Sequence, residues 1–215
     1  RCCETSSKRQ SAQVGSRSTP KASLVISEER ARELDALHRA PHPLLIELEQ
    51  IDGVDGVPIV ERVTGRLLST IVTAMQANRI LEVGTRYGYW TLWMALAQPP
   101  AGRIWTIDPD ARRTDVARAY FRRAGEDDSI EVFNTPALEL LANSPHRNLD
   151  VVFVTANKDE YLAYLEIVIP MLKLSGLAIF TDCLTTHGFL QRFLNHPALD
   201  ATVLPFGLGI GARRQ

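Results

Sequence analysis

"RILEVGTRYGYWTLWMA", Arg79 to Ala95, holds a complete change of rhythm. "RILEVG" (79–84) is a short apolar run, Gly84 and Gly88 punctuate the loop at its end, and from Tyr89 the apolar residues recur at helical spacing. That order predicts a strand, a tight turn and a helix. Towards the C-terminus the same alternation continues. "RIWTID" (103–108), "IEVFN" (130–134), "LDVVFVT" (149–155) and "GLAIFTD" (176–182) read as strands. Helices are predicted over Tyr89–Ala97, Asp110–Ala124, Ala137–Asn143 and Glu160–Leu174. Strands apolar along their whole length and separated by helices predict a parallel sheet covered on both faces. The end differs, because "ATVLPF" and "LGIGARR" flank a glycine-containing turn and predict an antiparallel hairpin at the sheet edge.

Towards the N-terminus the pattern is helical. Val63, Leu67, Leu68, Ile71, Val72 and Met75 predict the inward face of a helix over Val63–Ala77. "IDGVDGVP" is a turn-rich connector, and "LLIELEQ" before it a short helix. Ser27 is placed to cap another, with Glu28 and Glu29 in its first turn and Ala31, Leu34, Leu37 and His38 on one face. Residues 24–215 therefore read as one α/β domain with an N-terminal helical extension over 24–77. Residues 1–23 hold five Lys or Arg, one acid and many Ser, the composition of a disordered tail and also of an organellar transit peptide. No Met opens the chain, so the natural start is expected upstream.

With 215 residues, 45% of them hydrophobic, the chain can bury one sizeable core. A net charge of −1 gives no reason to expect nucleic acid or an anionic membrane as a partner. No apolar run approaches the roughly 18 residues of a membrane-spanning helix. Three cysteines, two of them adjacent in the tail, make no disulfide framework. A soluble protein of the reducing cytoplasm is the expectation, with targeting by the tail as the alternative.

Open α/β sheets bind ligands beyond the carboxyl ends of their strands. The first such end carries Gly84-x-x-x-Gly88 instead of the Gly-x-Gly-x-x-Gly that cradles a pyrophosphate. Glu82, two residues before the first glycine, would repel a phosphate and suit a cation. Asp108 closes the second strand, where a carboxylate can accept both hydroxyls of a ribose. An adenosine ligand bearing positive charge in place of phosphates fits these residues: S-adenosylmethionine.

These stretches, with "DVVFVTANKDEYLAYLEIVIPMLKLSGLAIFTDC" and the closing "LPFGLGIGARR", resemble the O-methyltransferases of the catechol and caffeoyl-CoA type from about Val60 to the C-terminus. The resemblance implies a class I methyltransferase fold, with a seven-stranded sheet holding one antiparallel strand. It implies that Glu82, Gly84 and Thr85 line the methionine and ribose side of the cofactor, that Gly88 belongs to the same turn, and that Asp108 holds the ribose. Ala137 and Ala156 would border the adenine, and Val60 would approach the methionine end. Lys158 would be the general base that takes a proton from a small hydroxylated acceptor. A homodimer paired through N-terminal helices is also implied.

Three departures from the family pattern bear on function. Where relatives carry a small hydroxyl residue that bonds the cofactor's carboxylate, this chain has Trp90, whose indole N–H is the one donor left. Thr91 is turned from that position by about 100° on a helix. The family's metal ligands fall on Thr155, Asp182 and Cys183, a poor set for a hard cation such as Mg²⁺. A softer metal would need Cys183 and Asp182, with His187 nearby. Only 17 residues separate "TDC" from "ATVLP", which implies a more open acceptor pocket, with Phe189 and Phe193 read as core. The residues leave two readings open: a methyltransferase working on a hydroxyl without a tightly bound metal, and a catalytically silent homologue that binds cofactor or partners.

Overall fold

A computed structural model describes residues 28–52 and 59–214. The helices are α1 (Glu28–Leu37), α2 (Pro43–Asp52), α3 (Ile59–Met75), α4 (Tyr89–Ala95), α5 (Ala111–Ala124), α6 (Ala137–Ala142), α7 (Tyr161–Val168) and α8 (His187–Leu194). The strands are β1 (Arg79–Val83), β2 (Arg103–Ile107), β3 (Ile130–Phe133), β4 (Leu149–Val154), β5 (Leu172–Phe180), β6 (Leu199–Val203) and β7 (Gly209–Arg213). They form one seven-stranded sheet in the order β3-β2-β1-β4-β5-β7-β6. Pairing is parallel from β3 to β5, and β7 runs antiparallel to both β5 and β6. This is the predicted mostly parallel architecture with its antiparallel edge pair.

The sheet carries two cores because successive strand residues point to opposite faces. Ile80, Val151, Phe153 and Ile179 meet Leu45, Leu48, Leu68, Val72, Leu92 and Phe121 from α2, α3, α4 and α5. Leu81, Val83, Val152, Val154 and Phe180 meet Leu141, Tyr161, Leu165 and Phe193 from α6, α7 and α8. All six residues of β4 are buried, as a central strand covered on both faces requires. Phe189 and Phe193 stack at 5.5 Å and pack with Tyr161 and Phe180, so they are core as expected.

Several boundaries differ from the sequence reading. The helix expected over Glu160–Leu174 ends at Val168, because Pro170 lies within a single 3-10 turn over Ile169–Met171 and the chain then enters β5 at Leu172. A register shift between Leu149 and Val151 absorbs the extra residues, with Ser175 at φ 63° and Gly176 pressed against the Leu149 carbonyl. Helix α3 begins at Ile59, a full turn before Val63, and Val63 itself is exposed. Leu34 and Leu37 on α1 are exposed as well. Ser27 and the tail of residues 1–23 lie outside the described residues. Among the described residues, no helix is long and apolar enough to cross a membrane.

Helix α5 shows how local chemistry sets a boundary beside the site. The Asp110 side chain caps its first turn by accepting from the backbone of Arg112 at 3.0 Å, and Gly125 closes it at φ 73°. This capping fixes the chain that leaves Asp108.

Candidate active site

The strand order reverses between β1 and β4, and a cavity of about 560 Å³ opens there, beyond the carboxyl ends of the strands. That volume is ample for a ligand of cofactor size. The strand ends are tied together at their tips. Gly84 N–H donates to the Ile107 carbonyl at 2.8 Å, Thr155 N–H to the Val83 carbonyl at 2.8 Å, and Asp108 N–H to the Phe133 carbonyl at 3.0 Å. Gly84 takes φ 104°, and a Cβ there would sit 2.4 Å from the Thr155 carbonyl oxygen. Only glycine permits this close approach of two strand ends. Gly88, at φ 85°, opens α4 and lies against the Phe121 ring, away from the cavity wall.

Asp108 is buried at the cavity wall and held from two sides. Its Oδ2 accepts from Arg86 N–H at 2.8 Å and its Oδ1 from Asp110 N–H at 2.9 Å. Each oxygen keeps a second acceptor direction for a ligand hydroxyl. Ala137, at the start of α6, and Ala156, after β4, line the same cavity.

Glu82 lies beneath this floor and not on it. Thr91 Oγ1 donates to its Oε2 at 2.5 Å and Thr106 Oγ1 at 2.6 Å. Thr85, also buried, joins the chain through Thr106 at 2.6 Å. Glu82 Oε1 is buried with no partner among the described residues. Burial pushes the Glu82 carboxyl up to about 7, the two threonine hydroxyls pull it back, and the Asp108 charge adds to the rise. Glu82 and Thr85 therefore support the glycine turn from below and do not line the cavity.

Trp90 lines the cavity with its indole edge-on to Phe153, ring centroids 5.5 Å apart. Its N–H donates to the Glu61 carbonyl at 3.4 Å, so that donor is engaged within the protein. Thr91 points to Glu82, which settles its side of the helix. The side chain of Val60 lies outside the described residues, although its backbone is in α3.

Lys158 stands on the other lip, after β4, and its Nζ pairs with Asp182 Oδ2 at 3.0 Å. Thr155 and Asp182 line the cavity, but Cys183 does not. Its thiol donates to the Phe180 carbonyl at 3.3 Å and is fully buried against Gly209. Burial pushes that thiol up to about 12, so it stays protonated. The His187 side chain lies outside the described residues. One carboxylate engaged by a lysine, one neutral hydroxyl and one inward-facing protonated thiol do not fit a hard divalent cation.

The cavity is also lined by Glu61 and Thr64 of α3, Arg86, Arg113, and Phe206 and Leu208 of the β6–β7 turn. Sequence reasoning misses all of these. Arg86 belongs to the glycine turn and could have been found there, whereas the β6–β7 residues carry no local signal, because only the hairpin folding back brings them here.

The O-methyltransferase family model matches residues 42–198. The chain belongs to the O-methyltransferase family. Among its relatives it is 31% identical over 155 residues to a catechol O-methyltransferase of Mycobacterium tuberculosis, covering 65% of this chain and 70% of that protein. It is 33% identical over 132 residues to a caffeoyl-CoA O-methyltransferase of Populus kitakamiensis, covering 60% of this chain and 55% of that protein. A methyltransferase structure from Geobacter sulfurreducens superimposes with a TM-score of 0.79 at 25% identity, over 89% of this chain and 98% of that one. The O-methyltransferase TomG from Streptomyces achromogenes, solved in complex with SAM, shares the fold with a TM-score of 0.75 at 22% identity, over 89% of this chain and 100% of that one. In this family member the cavity sits where open α/β sheets bind ligands, with residues from the end of β1 and from the loops after β4 and β5 in its lining.

Proposed function

We propose that this chain transfers the sulfonium methyl of S-adenosylmethionine to a hydroxyl of a small phenolic or catechol-like acceptor without a tightly bound divalent metal. The observation that carries the reading is one shared cavity at the switch point, lined by Gly84, Asp108 and Ala137 and, from the loop after β4, by Ala156 and Lys158. S-adenosylmethionine supplies the methyl group and leaves as the neutral thioether. The protein's share is positioning. Asp108 accepts from the ribose hydroxyls, and Gly84 lets the chain approach the methionine portion. Lys158 orients the acceptor hydroxyl and, in its neutral amine form, takes its proton to become the ammonium, which the adjacent Asp182 carboxylate then pairs. The donor chemistry at Thr155, Asp182 and Cys183 supports the metal-free form of the reaction. The free, buried Cys183 suits a reducing cytoplasm. A homodimer formed through the N-terminal helices belongs to the same proposal.

One observation favours the second reading, a silent homologue. The Trp90 indole occupies the cavity wall with its N–H already bonded to Glu61, where relatives offer a hydroxyl. Calorimetric titration of S-adenosylmethionine in chelator and again in Mg²⁺ tests cofactor and metal, and an assay of methyl transfer to a catechol separates an active enzyme from a silent homologue that still binds cofactor. Binding of equal affinity in both buffers is the expected result. Binding only with Mg²⁺ would overturn the metal-free part, and no heat in either buffer would make the silent homologue the correct account.

A further inference from the structure

Two polar side chains in the cavity have no role in the proposed methyl transfer. Glu160 ends the loop after β4, and Tyr164 lies one turn further along, on α7. Both line the cavity, as do Pro136, Ala137 and Leu138, and the helices α6 and α7 that carry Ala137 and Tyr164 pack together. The Tyr164 ring is buried, with 2% of its surface exposed, and its hydroxyl donates to Glu160 Oε2. The Glu160 backbone N–H donates to the Asn157 carbonyl at 3.2 Å, which fixes the residue from its other end. The carboxylate is thus pinned at one oxygen by a group that cannot move without disturbing the core of α7. An acceptor held this firmly loses little freedom when it meets a ligand.

We infer that Glu160, clamped by Tyr164, reads the exocyclic amino group of the cofactor's adenine and so sets the specificity of the site for adenosine over 6-oxo purine nucleosides. The inference rests on the proposed cofactor, with Ala137 and Ala156 bordering the base. Adenine offers an N–H₂ donor at its six position, which a carboxylate accepts. Hypoxanthine offers a carbonyl oxygen there, which a carboxylate repels while its own lone pairs go unmet. Glu160 is half-buried at the cavity wall, and a site built to hydrogen-bond a ligand N–H rejects the analogue lacking it, because the polar group of the site then goes unpaired. The clamp directs the charge as well, since Tyr164 occupies Oε2 and leaves Oε1 for the base.

The test compares S-adenosylhomocysteine with its deaminated counterpart, S-inosylhomocysteine, by calorimetric titration into the full chain and into Glu160→Gln, Glu160→Ala and Tyr164→Phe. The parent chain is expected to prefer the adenine form about tenfold to a hundredfold, the range for one hydrogen bond to a charged group. Glu160→Gln should bring the ratio close to one, because a carboxamide can turn either end to the base. Glu160→Ala should lower it as well, and Tyr164→Phe should lower it in part, with far-ultraviolet circular dichroism showing that each variant is folded. A ratio unchanged in both Glu160 variants, with adenine-form affinity retained, overturns the inference and leaves the cofactor reading intact. Failure of the parent chain to bind either ligand overturns both together.

Discussion

Glu82 is enclosed between β1, β2 and α4, with two threonine hydroxyls on one oxygen and no described group on the other. Its carboxyl is raised to about 7, chiefly by burial, from an ordinary value of 4.5. Between those values the folded chain holds a proton that the unfolded chain has released, so the contribution to stability is full at low pH and is lost as pH rises through about 7. Glu82→Gln removes the titration. The difference in unfolding free energy between the parent chain and this variant is expected to change by about 3 kcal/mol from pH 5 to pH 8, the parent becoming relatively weaker. Urea unfolding at a series of pH values measures it, and parallel curves for the two proteins would sink the idea. Cys183 makes the same point in reverse, since a residue that looks like a metal ligand from its place after a strand is a packed thiol under Gly209.

Among the elements, the three N-terminal helices and the start of α4 are joined by one polar network. Arg62 of α3 donates through Nε to Glu49 Oε1 of α2 at 2.9 Å, through a second nitrogen to Glu49 Oε2, and through a third to Asp35 Oδ2 of α1 at 2.6 Å. Tyr89, the first residue of α4, donates to the same Glu49 at 2.9 Å. Glu49 is almost wholly buried, so its charge depends on these partners. Arg62→Met should therefore lower stability by about 3 kcal/mol, and Glu49→Leu combined with it should recover much of the loss. Thermal unfolding of the single and double variants checks this; equal losses in both would contradict it. Because Glu61 and Thr64 of α3 line the cavity, the single variant is also expected to bind S-adenosylmethionine less tightly. Helical periodicity found α3, but nothing local announced that Arg62 would meet Asp35 and Glu49, 27 and 13 residues away.

At the scale of the whole molecule, Leu34, Leu37, Ile46, Ile51 and Val63 all stand exposed on the three N-terminal helices, Leu37 at 82%. Exposed apolar side chains on the helices assigned to the pairing support the proposed homodimer. Sedimentation equilibrium is expected to give twice the chain mass, and Leu37→Glu to shift the population to the single chain; a parent protein that sediments as one chain would end that part of the proposal. The sequence by itself determined the architecture. Continuous apolar strands alternating with amphipathic helices have few ways to bury both faces of a sheet, and Gly84 and Asp108 mark strand ends that the parallel order must bring to one edge. Lys158 and Asp182, singled out by the resemblance to the O-methyltransferases, each closely follow a strand of that sheet and line the cavity. Only the tertiary structure decided which candidates line the cavity. Glu82 and Thr85 alternate below the floor, the Trp90 N–H is taken by a carbonyl 29 residues away, and Phe206 and Leu208 arrive through the returning hairpin. Residue type and spacing are local quantities and so can be read from the chain. Orientation and partnership are settled by packing between elements distant in sequence, and in this protein that packing makes the cavity.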